Sequence, residues 1–124
     1  MVDAGAVQLL ENIMSPDKTT RENAEKAFAN AKANTPTECV TLLVGVVVSP
    51  QCSDGVRVQA AVLLRNEIIL HAKDPNEAWQ KMPVERQKQC ANALAERYSA
   101  ETVGVVRRKI GQAMTGLAWY RRAP

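Results

Sequence analysis

The 124-residue sequence is poor in the residue types that build most catalytic and metal centres. It contains one histidine, His71, and three cysteines that are far apart and form no CxxC pair. An odd number of separated cysteines argues against a disulfide framework and against a zinc site. His71 lies near the end of an apolar pattern and is typical of a surface residue rather than a ligand or a base. We therefore expect a reduced, intracellular protein without a metal or another cofactor.

Long apolar runs, glycine-rich loops and nucleophile–base pairs are missing as well. The longest apolar run covers residues 40–48, is interrupted by Thr41 and Gly45, and is far shorter than a membrane span. Asp3 and Glu11 lie where a signal peptide would be apolar, so we expect neither a signal peptide nor membrane insertion. No serine or cysteine has a histidine nearby and no phosphate-binding glycine loop occurs, so we do not expect an enzyme.

Acidic residues are absent after Glu101, and the charge is divided unevenly along the chain. Residues 1–62 hold five Lys/Arg against seven Asp/Glu, whereas residues 63–124 hold eleven against six. A basic half is compatible with nucleic-acid binding, but these basic residues are dispersed and few aromatic residues accompany them. Because a base-stacking platform is missing, we do not expect direct binding of nucleic acid.

What the sequence does contain is a series of apolar positions with the spacing of a helix face. This spacing and the helix-start signals predict six helices, which begin near residues 3, 16, 36, 54, 83 and 100. Ser15 before Pro16 is expected to cap the second helix, and Thr35 with Glu38 has the spacing of a capping box before the third. Ser53 and Asp54 stand in capping positions before the fourth.

The third predicted helix is the least certain from composition alone. Residues 39–50 are rich in valine and by propensity fit a buried strand as well as a helix. The capping box and the helical spacing of the apolar residues favour the helix.

The predicted inner faces of the second, third, fifth and sixth helices are Ala24, Ala27, Phe28 and Ala31; Val40, Leu43, Val44 and Val47; Ala91, Leu94, Ala95 and Tyr98; and Val103, Val106, Ile110, Ala113, Met114 and Leu117. Gly104, Gly111 and Gly116 are predicted to mark close helix packing, and Trp79 to pack under the loop before Pro83.

An arginine recurs at the start of the second, fourth and sixth helices. Arg21, Arg57 and Arg107 are each followed at the third and seventh positions by residues of the predicted inner face. These helices begin 38 and 46 residues apart, close to the period of about 40 to 47 residues of HEAT and armadillo repeats. The sequence therefore predicts an all-α protein, an α-solenoid of HEAT repeats. Its three helical hairpins, over about residues 3–34, 36–71 and 83–120, are expected to form a right-handed stack that buries faces no single hairpin can hide.

The recurring arginines have acidic residues close before them. Asp17 and Asp54 precede Arg21 and Arg57 by four and three residues, so each arginine is expected to pair with an acid on its own helix or on the neighbouring repeat. The third repeat departs from this pattern, with Val103 and Gly104 at these positions. We interpret Arg57 and Arg107 as structural residues that are paired and partly buried.

Three segments, in order, resemble the first repeats of the importin-beta (karyopherin-beta) family. SPDKTTRENAEKAF resembles the first repeat in its Ser-Pro-Asp turn and in the arginine and Ala-Glu pair that follow. VRVQAAVLLRNEI resembles the inner helix of the second repeat, where an apolar run ends in a basic residue and an asparagine, here Arg65 and Asn66. VRRKIGQAMTGLA, residues 106–118, is similar to the third repeat of the importin beta-3 type. The resemblance covers nearly the whole chain.

The resemblance implies a nuclear transport receptor, of which this chain is the N-terminal part of a longer solenoid. It implies binding of the GTP-bound small GTPase Ran through the second helices, contacts with cargo proteins and nucleoporins mainly through later repeats, and shuttling between cytoplasm and nucleus. Arg65, Asn66, Arg108 and Lys109 are the candidate Ran-binding residues. A solvated helix end explains the first pair equally well, and a plain charged face explains the second. The alternative function is a HEAT-repeat scaffold for a multiprotein assembly without dependence on Ran.

Overall fold

The computed structural model of the chain describes residues 4–65 and 82–122, with side chains up to Thr115. The predictions for Asn66, His71 and Trp79 lie outside this part, as do those for the packing of Gly116 and Leu117. The described residues form six helices: α1 (Ala4–Ile13), α2 (Lys18–Asn34), α3 (Pro36–Val47), α4 (Asp54–Leu63), α5 (Val84–Ala100) and α6 (Gly104–Arg122). None of the helices in these ranges is long and apolar enough to cross a membrane.

The turn between α1 and α2 is closed by Asp17 rather than by Ser15. Asp17 is the N-cap of α2, and its carboxylate accepts hydrogen bonds from the backbone N–H of Thr20 at 2.9 Å and from its hydroxyl at 2.6 Å. Ser15 Oγ instead accepts from the backbone N–H of Asp17. The predicted cap was wrong by two residues because the hairpin turn needs Ser15 and Pro16, so that the helix starts only at Lys18.

The valine-rich third segment is a helix, as predicted, but the capping box is not formed. Thr35 precedes α3 without a side-chain cap bond, because its hydroxyl donates to the carbonyl of Ala31 at the end of α2. With no loop residue other than Thr35 between the two helices, its hydroxyl closes α2 instead of opening α3. The predicted inner face of α3 is buried, together with Cys39 and Val46.

Helix α4 has the capping predicted for it and an unusual end. Ser53 is its N-cap, with Oγ accepting from the backbone N–H of Val56 at 3.3 Å. Beyond Leu63 the chain continues in a π-helical turn through Leu64 and Arg65. Turns of this kind are rare and often occur at functional sites.

The two caps of the second hairpin make a matched test of this local structure. Ser53→Ala is expected to lower the free energy of unfolding by about 1 kcal/mol, because it removes the acceptor of a first-turn N–H. Thr35→Ala removes no cap bond of α3 and is expected to cost less. Urea unfolding followed by circular dichroism measures both; an equal or larger loss for Thr35→Ala would contradict the assignment of the caps.

Consecutive helices pack in pairs, α1 on α2, α3 on α4 and α5 on α6, and the pairs stack. Helix α4 packs against α6, α3 packs against α5, and α1 contacts both α3 and α4. One continuous core joins all three hairpins and includes, among others, Leu10, Phe28, Val40, Val47, Ala60, Leu64, Leu94, Val106, Ile110 and Ala113. The predicted inner positions Ala27 and Ala95 are exposed, since α2 and α5 each bury a narrower stripe than their alanines indicate.

Candidate functional site

The recurring arginines all donate to a backbone carbonyl in their own hairpin, which lies in the last turn of the preceding helix for Arg57 and Arg107 and in the turn just beyond that helix for Arg21. Arg21 Nη1 donates to the carbonyl of Ser15 at 3.3 Å, Arg57 Nε to that of Val47 at 3.0 Å, and Arg107 Nε to that of Tyr98 at 3.1 Å. Carbonyls at the C-terminal end of a helix lack partners within the helix. Arg57 and Arg107 therefore close the end of the first helix and fix the geometry of the hairpin.

Arg57 has an additional partner that links two hairpins. Arg57 is 1% exposed, and its guanidinium forms a bidentate ion pair with the carboxylate of Glu101 in the α5–α6 turn. Glu101 also accepts from the backbone N–H of Val103 at 3.2 Å. Arg97 Nε lies 3.0 Å from the same carboxylate, in an ionic contact rather than an aligned hydrogen bond. The second hairpin is thus joined to the third by a buried, charge-assisted contact.

The structure decides between the two predicted pairings for Arg57, an acid on its own helix or one on the neighbouring repeat. Arg57 binds an acid on the neighbouring repeat, and not Asp54, which is exposed at the start of the same helix. Asp17 caps α2 through Thr20, and its pKa is lowered mainly by those hydrogen bonds and to a smaller extent by the charge of Arg21. Sequence spacing missed Glu101 because this acid lies in the turn, 44 residues from its partner.

Arg107 also differs from the prediction. It is exposed, and no acidic residue of the described part of the chain forms an ion pair with it. Its guanidinium lies over the ring of Tyr98, 4.3 Å from the ring centre, in a cation–π contact. Gly111 packs on the same ring, where an added Cβ would come within 3.1 Å of Tyr98 Cε1. An added Cβ at Gly104 would meet no atom within 4 Å, so the prediction of close packing holds for Gly111 and not for Gly104.

Acid pH is expected to weaken the contact between the second and third hairpins. The hydrogen bonds from Arg57 hold the pKa of Glu101 below its ordinary value, against the opposing effect of burial. A carboxylate with a lowered pKa in the folded state stabilises the fold above the pKa of the unfolded chain, about 4.3 for glutamate. This stabilisation is therefore lost as the pH falls from about 5 through the folded-state pKa.

Thermal unfolding at a series of pH values tests this expectation. The melting temperature of the native chain should fall more steeply below about pH 5 than that of Glu101→Gln, which has no proton to gain at this position. Parallel curves for the two proteins would show that Glu101 does not contribute to acid sensitivity.

The four candidate binding residues lie on the second helices of neighbouring hairpins, as far as the structure describes them. Arg65 is half-buried in the π-helical turn, and within the described part of the chain its Nε is buried without a hydrogen-bond partner. Asn66 lies outside the described residues. Arg108 is exposed and Lys109 is half-buried on α6, which packs against α4. Arg108 lines an open groove of about 420 Å³ together with Gln112 and Thr115.

Two of the three cysteines, Cys39 and Cys90, are buried. Burial raises the pKa of the Cys39 thiol to about 11 and also raises that of Cys90, so both thiols stay protonated near neutral pH. Cys39 lines an apolar pocket of about 250 Å³ between α1, α2 and α3. Within residues 4–65 and 82–115 no group of three His, Cys, Asp or Glu side chains is placed to hold a metal ion.

The sequence matches no protein-family model, and no curated protein matches it. The fold, however, is similar to a chain in a solved structure described as "Kap95p Binding Induces the Switch Loops of RanGDP to adopt the GTP-bound Conformation: Implications for Nuclear Import Complex Assembly Dynamics". The TM-score is 0.83 at 21% sequence identity, and the similarity covers 95% of this chain and 14% of that chain. The predicted all-α repeat fold is thereby confirmed, and it is an importin-beta-like helical fold.

Proposed function

We propose that this chain is the N-terminal part of a nuclear transport receptor and that it binds the GTP-bound form of Ran through its second helices. The observation that carries the proposal is the fold similarity over 95% of the chain to a chain from a structure of Kap95p with Ran. Three sequence segments that resemble the first three importin-beta repeats support it independently of the fold. In this proposal Ran binding controls the binding of import cargo.

The proposed contact is a polar surface over α4 and α6. Arg65 and Arg108 are its main members, with Lys109 beside them and Asn66 following Arg65 in the sequence. Arg65 supports the assignment because it is half-buried at the end of a second helix, where part of the residue is open to a partner. Arg108 is exposed and borders a groove, so a partner reaches it without any rearrangement.

Two charge reversals on the third hairpin test the location of this contact. Arg108→Glu on the second helix is expected to weaken binding to Ran loaded with a non-hydrolysable GTP analogue by about tenfold, or roughly 1.4 kcal/mol. Lys88→Glu on the first helix makes the same change of charge at an exposed residue of α5 and is expected to leave the affinity unchanged. Equal effects of the two substitutions would argue against binding by the second-helix face.

Further parts of the proposal follow from the resemblance. The receptor is of the importin beta-3 type, as residues 106–118 indicate, and it shuttles between cytoplasm and nucleus. Its cargo and nucleoporin contacts are made mainly by repeats outside this chain, and it has no catalytic activity. The second candidate is a scaffold without Ran dependence, which the buried contacts between hairpins serve equally well. Absence of Ran binding by a folded chain would favour the scaffold.

A further inference from the structure

Three serine or threonine residues of this chain are followed directly by proline: Ser15, Thr35 and Ser49. All three lie between helices, where a residue before proline favours an extended backbone. Proline-directed protein kinases require a proline directly after the acceptor hydroxyl and favour a basic residue two positions further on. Ser15 has Lys18 at that position, whereas Thr35 has Glu38 and Ser49 has Cys52.

The hydrogen bonds of the three hydroxyl groups separate them further. Thr35 Oγ1 donates its proton to the carbonyl of Ala31 at 3.1 Å, and Ser49 Oγ donates to that of Gly45 at 2.6 Å. Ser15 Oγ accepts from the backbone N–H of Asp17 at 3.1 Å, which leaves its own proton uncommitted by this bond. Phosphoryl transfer removes the hydroxyl proton. Thr35 and Ser49 therefore lose the hydrogen bonds that they donate, whereas Ser15 keeps the hydrogen bond that it accepts.

The surroundings of Ser15 also suit a phosphate. Arg21 Nη1 already lies 3.3 Å from the carbonyl oxygen of Ser15, and the side chain of Lys18 is 79% exposed. Both residues belong to the first turn of α2, whose N-terminus favours negative charge. The negative charge of Asp17 opposes a phosphate, and the two positive charges of Lys18 and Arg21 act against it. Ser49, by contrast, follows the C-terminal end of α3, where a phosphate is disfavoured.

We propose that Ser15 is a phosphorylation site for a proline-directed kinase. In the transfer, Ser15 Oγ forms a bond to the γ-phosphorus of ATP while the bond from that phosphorus to the bridging oxygen breaks. ADP leaves, and the hydroxyl proton passes to the base of the kinase. The product carries a charge of about −1.5 to −2 between Lys18 and Arg21, in the turn that joins α1 and α2. This inference does not depend on Ran binding.

Incubation of the full 124-residue chain with ATP, Mg²⁺ and a cyclin-dependent, proline-directed kinase tests the proposal. Tandem mass spectrometry should find phosphate on Ser15 and not on Thr35 or Ser49, and Ser15→Ala should lose the modification. Lys18→Glu, an exposed substitution that leaves the turn intact, should slow the transfer several-fold. A folded chain left unmodified by a kinase that phosphorylates a Ser-Pro peptide would overturn the proposal, as would modification of Thr35 or Ser49 at the same rate as Ser15.

Discussion

Replacing Arg57 by methionine is expected to lower the free energy of unfolding by about 3 kcal/mol, the lower end of the cost of breaking a buried ion pair, because Arg97 stays 3.0 Å from the Glu101 carboxylate. Glu101 is buried in the α5–α6 turn, and Nη1 and Nη2 of Arg57 each donate to one of its carboxylate oxygens. The substitution also leaves the carbonyl of Val47 without its donor. Because the two partners belong to different hairpins, the loss should loosen the third hairpin from the second.

Two further variants separate the ion pair from the size of the side chain. Arg107→Met removes an arginine at the equivalent repeat position that is exposed, and it is expected to cost far less. The double variant Arg57→Met with Glu101→Met removes both charges and should recover part of the loss, because an apolar pair replaces a buried ion pair at little cost. Urea unfolding measures all three proteins; equal losses for Arg57→Met and Arg107→Met would contradict the description of the contact.

The second large effect is expected at Ile110, which is fully buried on α6, the helix that packs against both α5 and α4. Ile110→Ala removes buried methyl and methylene groups from the core that joins the hairpins. The expected cost is about 2 to 5 kcal/mol, the sum of the lost apolar transfer free energy and of the cavity left behind.

Val105, on the same helix but 39% exposed, offers the control for Ile110. Val105→Ala is expected to change the free energy of unfolding by no more than about 0.5 kcal/mol, as is usual for surface positions. Denaturant unfolding of the two variants gives the comparison. A cost of Ile110→Ala as small as that of Val105→Ala would contradict the burial of Ile110 in the core that joins the hairpins.

Local patterns in the sequence predicted the helices and most of the core. The spacing of Val40, Leu43, Val44 and Val47 identified α3 as a helix against its valine-rich composition, and all four residues are buried. Ser53 was recognised as a cap because the acceptor and the N–H that it binds are three residues apart. Such features depend on neighbours within one or two helical turns, which the sequence displays directly.

The errors in the prediction arise from contacts between distant residues and from competition between neighbouring helix ends. The partner of Arg57 is 44 residues away, in a turn whose position depends on how the third hairpin stacks. Ala27 and Ala95 have the spacing of a buried face, but no neighbouring helix covers them. Thr35 has the spacing of a capping box, yet its hydroxyl donates to the carbonyl of Ala31 at the end of α2.

The candidate site was predictable only as a set of residues and not as a surface. Arg65 and Arg108 were singled out because each follows or interrupts an apolar pattern on a second helix. The sequence does not state that α4 and α6 are in contact, nor that the Nε of Arg65 is buried. Stacking of the hairpins determines both, and the binding surface that we propose over α4 and α6 depends on it.

Titration of the folded 124-residue chain with Ran, by calorimetry, is the most direct test of the proposed function. Ran loaded with a non-hydrolysable GTP analogue is expected to bind at least about tenfold more tightly than Ran loaded with GDP, a difference of roughly 1.4 kcal/mol. Equal affinity for the two nucleotide states, or binding to neither, would contradict the proposal that this solenoid senses the GTP-bound state of Ran.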